Sequence, residues 1–357
     1  MDRQPNVSIV LPIRDEAPHI VRALDAIDAQ TYPASRIEVF VVDGGSTDGT
    51  LELVRQRAAR DPRIHELGGE GVNTPLAMQL GIEASTGEIV AKVDGHGWVN
   101  EAFLEVAVNA LAADPQLGCI GGRVHPVAES QVERAIAIAR FSRLGVGGGI
   151  YTLDERVQDT DTVQCGVYRR TALRDAGGFD PTLPYGEDEE ANFRLRQRGW
   201  RIRLDPAMRF SYRVRPSFRA LFRQYFRYGR ARVAVVRRHP SFFRAKHAAP
   251  AAMVVALAAS PPLALALDSW WLVVLVWVGY LAAVIASGAG LAARARFGRP
   301  DLVTLSLLAL HLGYGLGSLR GIFDSAQGGT LGGEGAASPR LEGDGDAGEA
   351  RPERESR

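Results

Sequence analysis

From Ala248 to Ile322 the chain is apolar almost without interruption, and no other stretch restricts its fold so much. The run divides into segments at about 248–267, 270–293 and 302–322. Each is long enough to cross a hydrocarbon core of about 30 Å at about 1.5 Å per residue. A pair of soluble core helices is the other structure that buries such runs. Pro261-Pro262 predicts a kinked or re-entrant first segment, and Trp270, Trp271 and Trp277 suit an interfacial belt. Arg237, Arg238, Arg244 and Lys246 precede the first segment, and Arg294, Arg296 and Arg299 separate the second from the third. The remaining connection offers only Asp268-Ser269. The positive-inside rule then makes residues 1–235 cytoplasmic, ahead of a multi-pass region of about three spans at 248–322 in the plasma or inner membrane.

Just before the spans, at 216–232, Phe218, Leu221, Phe222 and Tyr225 share one side of a helical wheel and Arg219, Arg223, Arg227 and Arg230 the other. Such a helix lies in a membrane interface, or packs as an ordinary amphipathic helix on its own domain. Beyond the spans, the tail at 324–357 is rich in Gly, Ala, Glu, Asp and Arg and is expected to be disordered. A net charge of +1 hides this local bias and leaves nucleic-acid binding undecided. Cys119 and Cys165 sit in apolar, strand-like surroundings and read as reduced core residues. The first apolar run, Val7 to Leu11, is too short for a signal peptide and is followed by Arg14 and Asp15.

Residues 1–235 alternate between two periods. Val7 to Pro12 is a strand, and Ile20, Leu24 and Ile27 mark one face of the helix after it. Ile37 to Val42 is a second strand, closed by Asp43-Gly-Gly-Ser-Thr-Asp-Gly-Thr50 and followed by a helix with Leu51, Val54 and Ala58. Asn73-Thr74-Pro75 opens a further helix with Thr74 as its cap, and Ile89 to Val93 is a short buried strand ending at Asp94-Gly95-His96. Helices at 101–112 and 130–141 and strands near 117–124 and 162–168 continue the pattern. Strand and helix alternating at this spacing predict βαβ units: an α/β fold with a mostly parallel sheet and helices on both faces.

In such sheets ligands gather at the carboxyl ends of strands. An acid and an imidazole two residues apart, Asp94 and His96, fit either a turn that caps the next helix or a pair holding a divalent cation. The run Glu187-Asp188-Glu189-Glu190 fits a helix N-terminus, where the dipole favours acids. Crowded carboxylates also repel one another, which raises the pKa of the least solvated and suits it to accept a proton.

Taken in order, these features resemble an inverting family 2 glycosyltransferase of the GT-A fold, a Rossmann-like nucleotide-sugar-binding architecture. The likeness covers about Val7 to Arg230. It rests on the strand with Pro12 and Arg14-Asp15-Glu16, on Val41-Val-Asp-Gly-Gly-Ser-Thr-Asp-Gly-Thr50, on Asp94-x-His96, on Gly-Gly-Phe-Asp180 followed by Glu187-Asp188, and on Gln224-x-x-Arg227-Tyr228. With the apolar C-terminus, the chain is similar to membrane glycosyltransferases of succinoglycan-type exopolysaccharide assembly. The resemblance implies a nucleotide-sugar site at Pro12, Arg14, Glu16, Asp43, Lys92 and Asp94. It implies a Mn²⁺ or Mg²⁺ ion on Asp94 and His96, with His96 standing where the family usually has Asp. Asp188 would be the catalytic base, Glu187 its neighbour, and Gln224, Arg227 and Tyr228 would meet diphosphate and acceptor. The partners implied are a nucleotide-sugar donor carrying UDP, a polyprenyl-diphosphate-linked saccharide acceptor and a membrane, with no nucleic acid. Direct transfer to polyprenyl phosphate and an inactive nucleotide-sugar-binding scaffold are the rival readings. The glycines at Gly145 and Gly147-Gly148-Gly149 fit a flexible connection or a loop closing over the donor.

Overall fold

The computed structural model describes residues 4–145, 156–183 and 185–326. The expected glycine loop at 147–149 and nearly all of the expected disordered tail lie outside these. Strands β1 (Val7–Ile13), β2 (Ile37–Asp43), β3 (Ile64–Gly68) and β4 (Ile89–Lys92) pair in parallel in the order β3-β2-β1-β4. Helices α1 (Ile20–Asp28), α2 (Thr50–Ala58) and α3 (Thr74–Ala84) make the crossovers between them. α3 is capped by Asn73, whose side chain accepts from the Leu76 amide at 3.0 Å, one residue earlier than the expected Thr74. Asparagine is the stronger cap, and Pro75 is tolerated in the first turn because that N–H has no helical partner.

Beyond β4 the sheet becomes mixed. β5 (Gly97–Val99), α4 (Phe103–Ala113), β6 (Leu117–Val127), α5 (Gln131–Arg140), β7 (Gln158–Asp159), β8 (Val167–Arg169), α6 (Arg170–Ala176), α7 (Glu187–Gln197) and β9 (Arg201–Arg213) follow. β8 runs antiparallel to both β4 and β6, β9 lies parallel to β6, and β5 and β7 run antiparallel to β9. The parallel expectation holds for strands joined by helical crossovers. β8 instead arrives from the long connection after α5 and needs no crossover to sit antiparallel. Its strand is shorter than the predicted 162–168, because Cys165 takes a positive φ of 49° and ends the extended run.

Helices α8 (Phe218–Arg238), α9 (Ala245–Ala266), α10 (Trp271–Arg294) and α11 (Pro300–Ala326) complete the described chain. The last three are long and apolar enough to cross a membrane. α9 is one continuous helix, not a re-entrant pair, with Pro250, Pro261 and Pro262 inside it. α10 contains a wide turn at Val274–Val278. α11 lies against α8 at backbone contact: a Cβ at Gly317 would clash with the Phe226 carbonyl, and one at Gly229 with the Tyr314 carbonyl. Gly313, Gly317 and Gly321 recur every fourth residue along α11, so the small face is continuous and the two backbones can approach. That contact fixes α8, and α8 carries part of the candidate site.

Candidate active site

The carboxyl ends of β2, β1 and β4 lie side by side, with Ile13 opposite Asp43 and Val10 opposite Lys92. The loop after β2 is stitched to the loop after β1. Asp15 accepts from the Thr47 amide at 2.9 Å, the Asp15 amide donates to Ser46 Oγ at 2.9 Å, and Asp48 accepts from the Ala17 amide at 3.0 Å. Asp43 is buried, and its carboxylate accepts from the amides of Gly45 and Ser46 at 3.0 Å and from the Ser46 hydroxyl at 2.5 Å. Asp43 therefore shapes the loop from within. Pro12 is half-buried beside it and Arg14 is exposed at the rim.

The centre is one lysine. Lys92 is 1% exposed, and its Nζ donates to both Asp188 oxygens at 2.7 Å and to Glu187 Oε1 at 2.9 Å, with Asp94 Oδ1 at 3.6 Å. Gly186, at a φ of 77°, caps α7 and turns its first two acids inward onto the end of β4. The other two acids of the run take other cations: Glu189 pairs with Arg232, and buried Glu190 with Arg194 at 2.6 Å and His239 at 2.8 Å. Burial alone would lower the pKa of Lys92, but Asp188, Asp94 and Glu187 outweigh it and hold the ammonium charged. For Asp188 burial dominates. Its pKa is pushed up to about 7, with repulsion from Glu187 and Asp94 adding to burial and Lys92 opposing it. Asp94 stays below the usual carboxylate range because Lys92 and His96 outweigh its burial. Cys165 Sγ, 3.8 Å from Asp94 Oδ2, lies behind it.

His96 takes its hydrogen bond outside this cluster. Its Nδ1 is 3.2 Å from Glu16 Oε1 and its ring stands edge-on to Tyr212 at 5.2 Å. Burial lowers its pKa, but the Glu16 bond and Asp94 prevail and raise it. Tyr212 belongs to β9 and leads to α8. Gln224 Nε2 donates to the Tyr228 hydroxyl at 3.0 Å and to the Tyr212 hydroxyl at 3.4 Å. Arg227 is exposed and lies over the Tyr185 ring at 5.7 Å, next to the turn that starts α7. Beneath Tyr212 the guanidinium of Arg140, 4% exposed, sits 4.7 Å from the ring centre. Burial raises the pKa of the Tyr212 phenol, but Arg140, Arg215 and His96 together bring it down to about 7.

The structure brings Lys92, Asp94, Glu187 and Asp188 together at the end of β4, and Gln224 and Tyr228 to Tyr212 of β9; Lys92 is buried among the acids, Asp43 bonds its own loop and His96 bonds Glu16. Among the described residues no three His, Cys, Asp or Glu side chains stand together as a metal-binding group. The ammonium of Lys92 separates the acids.

Comparison with known proteins bears on the family and the fold. Residues 8–177 match the family model "Glycosyl transferase family 2". The chain carries a family 2 glycosyltransferase domain. The succinoglycan biosynthesis protein ExoA of Rhizobium meliloti (strain 1021) is 29% identical over 324 residues, 88% of this chain and 94% of that protein. Glycosyltransferase AglE of Haloferax volcanii is 29% identical over 232 residues, 65% of this chain and 74% of that one. Among solved structures, the mannosyltransferase PcManGT of Pyrobaculum calidifontis, in complex with GDP-Man and Mn²⁺, superposes with a TM-score of 0.57 at 22% identity. It covers 90% of this chain and 88% of its own. The fold is therefore GT-A. The glycosyltransferase has relatives in exopolysaccharide synthesis and lipid-linked glycan synthesis.

Two features of this site's surroundings escape a sequence reading. Lys92 stands out of pattern in the apolar strand Ile89–Val93, a signal that it is buried and paired, but nothing in the spacing shows that it gathers three acids. Arg140, in the last turn of α5, reads as a solvated cation complementing a helix dipole. Only the tertiary packing buries it.

Proposed function

We propose that this glycosyltransferase moves a hexose, with inversion, from a nucleotide sugar to a hydroxyl of a polyprenyl-diphosphate-linked saccharide in exopolysaccharide or cell-surface glycan synthesis, with UDP as the carrier. The clamp of Lys92 on Asp94, Glu187 and Asp188 is the observation that carries the reading. It joins the acid at the end of β4, where the donor diphosphate would lie, to the acid on α7 that would serve as base. An acceptor hydroxyl is a poor nucleophile until its proton has somewhere to go. Asp188, with a pKa lifted to about 7, is matched to take that proton near neutral pH. The acceptor oxygen forms its bond to the anomeric carbon as the bond from that carbon to the diphosphate breaks on the opposite face. The proton goes to an Asp188 oxygen and the electron pair to the departing nucleoside diphosphate. Lys92 keeps the base oriented and lowers the cost of holding three carboxylates together.

The donor set fits a divalent cation. The Asp94 side chain keeps 25% of its surface and stays ionised, and with the Glu16 bond on Nδ1, Nε2 is the ring nitrogen His96 has to offer. A carboxylate and an imidazole together suit Mn²⁺ better than Mg²⁺. Asp94 and His96 would hold the ion, which when bound supplies Lewis-acid neutralisation of the diphosphate. The three apolar helices, with cationic residues flanking them, support a catalytic domain on the cytoplasmic side, where a lipid-linked acceptor would reach it from the bilayer.

Nucleoside-diphosphate release, measured for the detergent-solubilised full chain with a panel of donors and native lipid extract, tests this. One donor should give lipid-dependent release that a chelator abolishes and that Asp188→Asn reduces strongly. Equal rates with and without chelator would remove the ion from the reaction. A fully active Asp188→Asn would indicate transfer to an acceptor that is already an anion, such as polyprenyl phosphate.

A further inference from the structure

Among the described residues, Arg140 is a buried cation with no carboxylate partner. Its guanidinium is 4% exposed, and its Nε and Nη1 have no hydrogen-bond partner. Among the described residues, the charged or polar groups facing it are the phenols of Tyr212, Tyr225 and Tyr228. A buried unpaired charge is costly, and a chain keeps one where an anion arrives to compensate it. The neighbouring hydroxyls are arranged for an anion too. Gln224 donates to both Tyr212 and Tyr228, so neither phenol hydrogen is used in those bonds: that of Tyr228 remains to donate elsewhere, and so does that of Tyr212 below its pKa of about 7. His96 and Tyr228, the members that keep some exposure, mark the way in.

We propose that Arg140, with the hydroxyls of Tyr212 and Tyr228, forms a subsite for a phosphate of a diphosphate-bearing substrate. A guanidinium gives a phosphate charge-assisted hydrogen bonds, and two of the Arg140 nitrogens, Nε and Nη1, stand unused. Two substrates of the proposed reaction carry a diphosphate, the nucleotide-sugar donor and the lipid-linked acceptor. Position favours the lipid. Arg140 lies beyond His96 from the Lys92 cluster, on the side built by α5 and α8, and both of these helices pack on α11, one of the helices able to cross the membrane. A diphosphate held there would set the distance between the lipid anchor and the acceptor hydroxyl. The inference rests on the proposed acceptor class.

The test uses the full chain in phosphatidylcholine nanodiscs and measures binding separately from turnover. Undecaprenyl diphosphate is one probe and UDP with Mn²⁺ the other, each against wild type, Arg140→Met and Arg140→Lys. Arg140→Met should weaken undecaprenyl diphosphate about 10- to 100-fold, the size of lost charge-assisted hydrogen bonds, and leave UDP within about twofold. Arg140→Lys should fall between, because it keeps the charge and loses the guanidinium. Loss of UDP with lipid binding intact would uphold the phosphate subsite and assign it to the donor. Without ligand, Arg140→Met should melt at or above the wild-type temperature, since it removes an uncompensated charge. Unchanged binding of both probes overturns the proposal. So does a lowered melting temperature with both probes lost, which marks a structural arginine. If wild type transfers no sugar with native lipid extract, the proposed reaction has failed instead, whatever the Arg140 variants bind.

Discussion

Two cations are buried a few side chains apart, in opposite company. Lys92 is surrounded by three carboxylates within 4 Å, while Arg140 has phenols around it and unused N–H groups. The first cluster carries excess negative charge, so a proton or a cation is what it can still accept. The second carries excess positive charge and can accept an anion. His96 and Tyr212 lie between them. On the proposed reading the two would divide the work, protons at one and phosphates at the other, because each buried charge is left partly unbalanced, with opposite sign.

The largest expected effect comes from the acidic side. Asp188→Asn should lower kcat by about 10²- to 10⁴-fold, the range for a lost general base, with donor KM within about twofold, as read by nucleoside-diphosphate release. Lys92→Met should cost about 3–5 kcal/mol of stability, the penalty for removing one partner of a buried charge cluster, seen as a large fall in thermal midpoint. If Lys92→Met melts like wild type, the acids are not held by the ammonium and the contrast between the clusters disappears.

The pH dependence sharpens the same comparison. Asp188 must be ionised to act as base, so kcat/KM should rise with pH along a limb with an apparent pKa of about 7. The sign for stability is the reverse. A carboxyl whose folded pKa lies above its ordinary 3.8 favours the fold in its protonated form, fully below that value, and this contribution is lost as pH rises through about 7. Asp188→Asn mimics the protonated acid. It should therefore be more stable than wild type above pH 7, with the difference shrinking as pH falls; a constant difference in thermal midpoint across that range would refute the assignment.

The smallest effect tests the phosphate side through the helix that builds it. Gly317→Val places a Cβ against the Phe226 carbonyl and must push α8 from α11, at about 1–3 kcal/mol by the usual cost of overpacking. Gln224 and Tyr228 move with α8, whereas Lys92 and Asp188 are held by β4 and α7. Acceptor KM should rise while UDP affinity stays near that of wild type. Equal changes in both would mean that α8 serves the two clusters alike.

Much of this molecule is legible in its residues. The βα alternation up to Asp94, the strand-end acids, the acidic start of α7 and the three apolar helices all follow from periodicity, capping and length, which are local properties. Composition could not show which way β8 runs, because a strand inserted from a long connection has no crossover to dictate its direction. Local order also does not divide Glu187 to Glu190 among Lys92, Arg232, Arg194 and His239, since those partners come from distant elements. The sequence by itself determined which residues could bear the chemistry. Only the packing of β4 against α7, and of α5 and α8 against α11, decided which charges are buried and what each is left to attract, because desolvation depends on neighbours that the chain brings together only when folded.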